Sequence, residues 1–509
     1  MRMNYFGKVV LLGAGPGEIG LLTLKGLELI KKADCIIYDR LLNKDLLAFS
    51  PEGCEKIFVG KENHFHTMTQ DKINELLFEK AKEHQLVVRL KGGDPYVFGR
   101  GGEEALYLKE RGVKVEVVPG ISSSIAALSA AGIPITHRGL SKGFQVVTAH
   151  SKKDQLADID YSQLTDESVT YVFLMGLSHV GEIAEGLIAA GRKADTKAAV
   201  VSSGTTNHQR KVIGTLSDID AKVKEAKLQS PAIIVVGDVV SLSEELNFFE
   251  ERPFFGKKFF LPIIKSFNYS LAGLEENVGI NELEKSLTSK GAEVVTVTAG
   301  TIAPIKCDLS FLASLSEDNC IVFTSANGVK SFFWNLYEVA GLDGRVLGKA
   351  KFAAIGQKTA EVLRGFGFKT DFISEKQNGE DLAVLLNEKL GAGTSIYWLC
   401  QKCSSEYFEG NISEQFNLKK IYCYENVESD IEVTDAFLAE VEDCDGAIFT
   451  SGSNAAFAIK LLGSHLPKAI YSIGPACSKR IENSGFAVTS EAMVSSYDGV
   501  IKCINNSVV

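Results

Sequence analysis

The sequence predicts an α/β protein of several domains, on three observations. Short apolar runs alternate with amphipathic stretches through the first half. Glycine-rich segments follow two of those runs, at residues 13–17 and 92–102. The second half carries one strand–turn–helix pattern twice. Alternation of strands with helices implies a parallel sheet with helical crossovers. A length of 509 residues implies about two to four domains.

Strands are predicted at Val9–Leu12, Cys35–Tyr38, Ile57–Val59, Val87–Leu90 and Val115–Val118, with helices near Gly20–Lys32, Asp71–Glu83 and Glu103–Arg111. A second set of strands, near Phe144–Thr148, Val169–Leu174, Ala198–Val201 and Ala232–Val236, predicts a separate lobe. Glu250-Glu-Arg-Pro-Phe-Phe-Gly-Lys-Lys258 mixes charge, proline and glycine and reads as a linker. In the second half, Ile321-Val-Phe-Thr-Ser-Ala-Asn-Gly328 is echoed by Ala447-Ile-Phe-Thr-Ser-Gly-Ser-Asn454. Each is followed by an Ile-Gly turn, at Ile355 and Ile473. Two widely spaced copies predict two similar α/β lobes facing a cleft; a solenoid needs short periods and several repeats.

A net charge of −10 excludes a global basic field for nucleic acid or an anionic membrane. An anionic substrate must then be held by local cations and backbone donors. No apolar run reaches transmembrane length, and the start lacks the apolar stretch of a secretory signal. The ten cysteines lie mostly in apolar stretches, which suits reduced thiols and a cytoplasmic location. Cys400-x-x-Cys403 has no second pair and no nearby histidine, and His64-x-His66 has no third ligand, so no metal is expected.

The most informative segment is Leu90-Lys-Gly-Gly-Asp-Pro-Tyr-Val-Phe-Gly-Arg-Gly-Gly-Glu-Glu104. Glycine at this density lets the backbone approach a ligand, and the end of a parallel strand is where α/β proteins bind one. The opening Gly13-Ala-Gly-Pro-Gly17, with Asp39 after the next strand, permits a second reading as a dinucleotide site. Pro16 removes an amide that a pyrophosphate would need, and Glu18 would repel phosphate.

In order along the chain, Gly13-Ala-Gly-Pro-Gly17, Tyr38-Asp-Arg-Leu41, Val59-Gly-Lys61, Gly92-Gly-Asp-Pro95, Phe98-Gly-Arg-Gly101, Pro119-Gly-Ile-Ser-Ser123, Pro134-Ile-Thr-His-Arg138 and Met175-Gly176 form a set. This set resembles the tetrapyrrole (corrin/porphyrin) methylases, and among them the uroporphyrinogen-III C-methyltransferases. The resemblance implies a two-lobed fold unlike the common methyltransferase sheet, with S-adenosyl-L-methionine between the lobes. It places Pro16, Gly92, Gly93, Asp94, Val97, Ser122, Ser123, Met175 and Gly204 around that cofactor. It assigns proton transfer to Asp39 and Lys61. A helix cap and a surface lysine are the alternative readings. Arg40, Arg100, His137 and Arg138 are candidates for substrate carboxylates, or else structural ion pairs. Glu18 and Thr148-Ala-His150 depart slightly from the usual pattern.

From about Lys258 the chain resembles uroporphyrinogen-III synthase, on the doubled Phe-Thr-Ser and Ile-Gly turns, Gly365-Phe-Gly-Phe368 and Tyr424. This implies a bilobal α/β fold with two crossing strands near Pro304 and Asn426. Its substrate would be hydroxymethylbilane, a polyanion that the enzyme folds before closure. Thr324, Ser325, Thr450 and Ser451 would bind carboxylates with the helix N-terminal amides, or simply cap those helices. Tyr424 would assist hydroxyl departure, or serve as a structural tyrosine. Phe259-Phe-Leu-Pro-Ile-Ile-Lys265 lacks the arginine usual there, which leaves open an inactive tetrapyrrole-binding domain.

The expected boundaries are 1–246 for the methylase (lobes about 1–118 and 119–246), 247–257 for the linker and 258–509 for the synthase. Synthase lobe one would be 258–303 plus 428–509, and lobe two 304–427. The combined expectation is uroporphyrinogen III made by one half and methylated twice to precorrin-2 by the other, toward sirohaem or cobalamin. A homodimer through the methylase half is implied by resemblance alone.

Overall fold

The computed structural model describes residues 6–60, 68–150, 156–275, 279–402 and 408–508. The chain divides into two compact units, Met1–Lys257 with Val278–Val294, and Lys258–Asn277 with Val295–Val509.

The first unit opens with β1 (Lys8–Gly13), α1 (Leu24–Ile30), β2 (Cys35–Tyr38), β3 (Glu55–Phe58), α2 (Gln70–Glu83), β4 (Leu86–Lys91), α3 (Gly101–Glu110) and β5 (Lys114–Val118). The strands form a parallel sheet in the order β3-β2-β4-β1-β5. Their continuous apolar runs are explained by burial on both faces. Val10, Leu12, Ile36, Val88 and Leu90 pack on one face with Ile30 of α1. Val9, Leu11, Ile37 and Val87 pack on the other with Leu77 of α2 and Leu108 of α3. The first helix starts later than expected from Gly20. Thr23 accepts a hydrogen bond from the Gly26 amide and caps the helix, leaving Ile19–Leu21 as one separate tight turn.

A second lobe follows, with α4 (Ser123–Ala130), β6 (Gly143–Thr148), β7 (Val169–Leu174), α5 (Val180–Ala189), β8 (Lys197–Ser202), β9 (Arg210–Thr215), α6 (Ile219–Ala226) and β10 (Ala232–Val236). Its sheet runs β6-β7-β10-β8-β9, and only the β6–β7 pair is parallel. Strand β9 is absent from the sequence-based expectation. It sits at an edge, begins with two cations and lacks a continuous apolar run. The 247–257 segment is packed: Phe249 and Phe254 are buried, and Arg252 pairs with Glu18 at 3.1 Å. Helix α7 (Glu282–Ser289) belongs to this unit and starts with a capping box between Asn281 and Glu284.

The second unit holds β11 (Lys258–Lys265), the hairpin β12 (Tyr269–Ser270) and β13 (Gly273–Leu274), β14 (Glu293–Pro304), β15 (Asn319–Phe323), α8 (Ala326–Trp334), β16 (Lys351–Ala354), α9 (Gln357–Gly365), β17 (Phe372–Ile373), α10 (Gly379–Lys389), β18 (Ser395–Gln401) and β19 (Asn417–Glu428). It ends with α11 (Asp435–Glu442), β20 (Gly446–Phe449), α12 (Gly452–Leu462), β21 (Ile470–Ser472), α13 (Pro475–Glu482), β22 (Ser490–Glu491) and α14 (Tyr497–Val508). A ten-stranded sheet runs β17-β16-β15-β18-β19-β14-β11-β20-β21-β22. The long strands β14 and β19 are antiparallel, with Pro304 opposite Tyr424 and Ile302 opposite Asn426. They carry the chain between one α/β half built on β15–β18 and another built on β11 and β20–β22. The two halves repeat strand, Thr-Ser turn, helix, strand, helix, as the sequence echo predicts.

Candidate functional site

In the first unit, three loops meet at the C-terminal ends of β1, β4 and β5. Gly15 and Gly93 exchange backbone hydrogen bonds, and the Ala14 amide donates to the Lys91 carbonyl. The loops touch at glycine: a Cβ on Gly13 would lie 2.4 Å from the Gly120 amide nitrogen, and one on Gly120 would collide with the Gly93 carbonyl. Any side chain at either point would force the loops apart. Asp94 locks this meeting point. Its Oδ1 accepts from the Tyr96 amide at 2.8 Å and its Oδ2 from the Gly120 amide at 3.1 Å. Each oxygen keeps a second lone pair.

The second lobe closes on the same turn. The Glu18 amide donates to Thr205 Oγ1, and a Cβ on Gly17 would press on Thr206. A Cβ on Gly204 would collide with Ala127 of α4. Ser122 caps that helix and Ser123 is its first residue. Among the described residues the non-glycines with φ in the left-handed region are Phe98, Arg100, Met175, Ser203, Thr205, Lys227 and Gln377. All but the last two lie on these loops. Such strain is retained where a site requires it.

The cofactor set inferred from sequence, Pro16, Gly92, Gly93, Asp94, Val97, Ser122, Ser123, Met175 and Gly204, thus sits on the loops that converge here. Arg100 and Met175 also share an open cleft of about 660 Å3 with Tyr96, Phe98, Glu103 and His150. Tyr96, Val97, Phe98 and Met175 are exposed apolar side chains in this region. The amides of Ala14 and Gly15 are spent on other backbone groups, and Pro16 has none. The turn therefore offers no cradle to a pyrophosphate, which removes the basis of the dinucleotide reading. What remains is acceptor-rich: the Asp94 carboxylate and loop carbonyls. That donor–acceptor set fits a cationic, phosphate-free cofactor.

Asp39 stands at the end of β2. Its Oδ1 accepts from the Leu41 amide at 3.2 Å in a turn, and no helix starts there: the next helical turn, Lys44–Phe49, is capped by Asn43 instead. Its Oδ2 pairs with Arg89 at 3.2 Å. Arg89 is buried, donates to the Ile37 and Leu90 carbonyls, and reaches Glu104 at 3.4 Å. Glu104 is fully buried, and its Oε1 also accepts from Lys91 at 2.9 Å and Gln70 at 3.1 Å. Burial pulls the Lys91 ammonium below its ordinary range. This cluster was missed from sequence. The available signal was Arg89 and Lys91 alternating with valine and leucine in a strand buried on both faces.

Lys61, His64, His66 and Cys403 lie outside the described residues. Arg100 is held by Glu103 through two contacts, at 2.6 and 3.0 Å. Arg40, His137 and Arg138 are exposed and outside the described cleft lining. Cys35, Glu55 and His84 bring ligand atoms within 4.8 Å of one another. Glu55 is bonded to Lys80 and His84, and burial pushes the Cys35 thiol up to about 12, so the group reads as an ion pair beside a neutral thiol.

In the second unit both Thr-Ser turns cap helices. Ser325 accepts from the Gly328 amide and Ser451 from the Asn454 amide. Thr324 accepts from the Trp398 indole at 3.0 Å, and Thr450 is half-buried beside Ser451. Tyr424 is buried, shares a 2.8 Å hydrogen bond with Ser325, and has its hydroxyl pushed up to about 12 by burial. Lys330, also missed from sequence, lies one turn into α8, half-buried, with its ammonium on Asn268 at 2.8 Å.

The profile of the Tetrapyrrole (Corrin/Porphyrin) Methylases matches residues 8–220, and that of Uroporphyrinogen-III synthase HemD matches residues 281–502. The Porphyrin biosynthesis protein HemD of Ruminiclostridium josui is 38% identical over 413 residues, covering 81% of this chain and 80% of that protein. The Uroporphyrinogen-III C-methyltransferase of Methanocaldococcus jannaschii is 46% identical over 238 residues, covering 46% of this chain and 98% of that protein. The chain spans about half the length of the siroheme synthases it matches, such as that of Yersinia enterocolitica. A crystal structure of uroporphyrin-III C-methyl transferase from Thermus thermophilus with S-adenyl homocysteine is 40% identical, covering 46% of this chain and 93% of that one, with a TM-score of 0.40. The alternating strands, the converging glycine loops, the two family profiles and the Ruminiclostridium josui relative lead to one conclusion: the chain belongs to the tetrapyrrole methylase family in its N-terminal half and to the uroporphyrinogen-III synthase HemD family in its C-terminal half.

Proposed function

We propose that the chain performs two consecutive steps of tetrapyrrole synthesis. The C-terminal half cyclises hydroxymethylbilane to uroporphyrinogen III, and the N-terminal half methylates that product twice to precorrin-2. The observation that carries the reading is the acceptor-lined meeting of glycine loops beside Asp39. Bound there, S-adenosyl-L-methionine supplies an electrophilic methyl group. Asp94, Gly92, Gly93 and Ser122 would hold it through carboxylate, carbonyl and hydroxyl oxygens. Asp39 would take a proton that the methylated adduct must lose elsewhere on the macrocycle, since the attacked ring carbon is fully substituted, with Lys61 as the complementary acid. The exposed rings of Tyr96 and Phe98 suit the flat apolar faces of a macrocycle, and Arg40, Arg100, His137 and Arg138 suit its carboxylates.

In the second unit the work is folding a flexible polyanion, which needs many positioned contacts. The first amides of α8 and α12, with Thr324, Ser325, Thr450 and Ser451, are the anion-binding groups of this reading. Tyr424 would donate to the departing hydroxyl through its bond with Ser325. Family resemblance supports a cytoplasmic homodimer formed through the methylase half. The product feeds the sirohaem or the cobalamin branch.

The test supplies hydroxymethylbilane to the purified chain with and without S-adenosylmethionine, and follows products by absorbance and mass. Uroporphyrinogen III alone, then a dimethylated product once the methyl donor is added, is expected. Uroporphyrinogen I alone, formed without enzyme, removes the synthase assignment and leaves a tetrapyrrole-binding domain. Added uroporphyrinogen III that stays unmethylated removes the methylase assignment.

A further inference from the structure

We infer that Arg89 and Glu104 are positioning residues for proton transfer at Asp39, joined to it as one buried ionic unit. The inference rests on the proposed role of Asp39 and extends it into the protein core.

The placement of the charges motivates it. On β4, Val87, Arg89 and Lys91 point to the same face, because side chains alternate along a strand. That face is the core under α2 and α3. Arg89 is 3% exposed, Lys91 5% and Glu104 0%. Two cations and a carboxylate therefore occupy positions where apolar side chains would fill the space. Replacing a buried ion cluster by packed apolar groups commonly costs no stability. Stability alone gives no reason for this choice, whereas fixing a geometry does.

The connections define what is fixed. Arg89 Nη2 holds Asp39 Oδ2 at 3.2 Å, and Arg89 Nη1 holds the Ile37 and Leu90 carbonyls at 3.3 and 3.0 Å. The guanidinium is thereby tied to β2 and β4 at once. Its Nε faces Glu104 Oε1 at 3.4 Å, and Lys91 and Gln70 converge on that same oxygen. Gln70 is held in turn by Asn74 at 3.0 Å. Asp39 is the charged member of the cluster that reaches solvent, with a side chain 26% exposed. The Leu41 amide pins its other oxygen. A carboxylate held from both sides in this way has one orientation to present.

Glu104 Oε2 adds a second observation. It is buried with no hydrogen-bond partner, while Oε1 carries all three contacts. An orphaned buried carboxylate oxygen is costly. Its retention fits a residue kept for what Oε1 organises rather than for its own satisfaction. The planar fork of arginine explains why a lysine could replace only part of this role: only the fork spans Asp39, two carbonyls and Glu104 together.

The test uses the full-length chain with added uroporphyrinogen III. Methyl transfer is measured for Arg89→Gln, Arg89→Lys, Glu104→Gln, Asp39→Asn and the double variant Asp39→Asn/Arg89→Gln. S-adenosylhomocysteine binding and thermal melting are followed alongside. Arg89→Gln and Glu104→Gln should lower kcat about 10- to 100-fold, the scale of a displaced reacting group. KM for S-adenosylmethionine and S-adenosylhomocysteine affinity should stay within about twofold, since neither residue is assigned to the cofactor. Arg89→Lys should fold normally and recover part of kcat. The double variant should be no slower than Asp39→Asn, because residues acting as one unit are not additive. Unchanged kcat in Arg89→Gln and Glu104→Gln overturns the inference. So does an Arg89→Gln loss of equal size with and without Asp39, which marks a general structural defect. Wild-type turnover in Asp39→Asn instead removes the role of Asp39 on which the inference stands.

Discussion

At the residue scale, the first unit is organised by glycines whose missing Cβ lets three loops touch. Gly13 is the clearest test, because a methyl there meets the Gly120 amide nitrogen at 2.4 Å and the Gly93 carbonyl at 2.6 Å, both backbone atoms that cannot rotate away. Gly13→Ala should weaken S-adenosylhomocysteine binding at least about tenfold, measured by titration calorimetry, through displaced loops rather than a lost contact. Unchanged affinity would mean that these loops do not shape the site. Glycine density made the Gly92–Gly102 segment legible in the sequence, and the roles expected of Asp39 and Asp94 came from the family resemblance. The Arg89–Glu104 contact was not legible. Those residues lie fifteen positions apart on different elements, and only the packing of α3 across β4 brings them together.

At the element scale, helix α7 shows how burial couples charge to stability. Glu284 is buried and its carboxyl is pushed up to about 7, first by desolvation and then by nearby Asp45, whose own carboxyl is also raised by burial. A carboxyl raised in the folded state adds stability that is complete below its unfolded value near 4.5 and is lost as pH climbs through 7. Glu284→Gln should therefore raise the melting temperature at pH 8, by a stability on the order of 1–3 kcal/mol, and should change little at pH 4. Equal effects at both pH values would contradict this. The capping box was written in the sequence as Asn281 followed by Glu284. Which unit the helix joins was not, because an amphipathic face does not name its partner. Similar logic covers α1, where Thr23 marked the start that the apolar pattern alone put too early. Edge strand β9 escaped because half of its face is solvated and its pattern is weak.

At the scale of the whole molecule, the first unit is discontinuous in sequence, since Val278–Val294 folds with Met1–Lys257. A chain ending at residue 257 loses α7, whose Leu283 and Leu287 are fully buried. Each such leucine contributes about 1.5–3 kcal/mol. The truncated chain should keep methyl transfer while melting well below the first transition of the full chain, by calorimetry. An unchanged transition would show that α7 adds nothing to that unit. Class, alternation and the doubled turns of the second half were readable from sequence, because periodicity and turn chemistry are local. The antiparallel pairing of β14 with β19 was foreseen only as two crossings. The central claim, that the glycine-lined cleft beside Asp39 methylates a tetrapyrrole, is tested most directly by labelled methyl transfer. The full chain is incubated with uroporphyrinogen III and S-adenosylmethionine carrying a labelled methyl, with Asp39→Asn in parallel. Two labelled methyls should enter the tetrapyrrole, and Asp39→Asn should slow transfer about 100-fold or more while still binding S-adenosylhomocysteine. Label that never enters the tetrapyrrole, or enters equally fast without Asp39, would contradict the account.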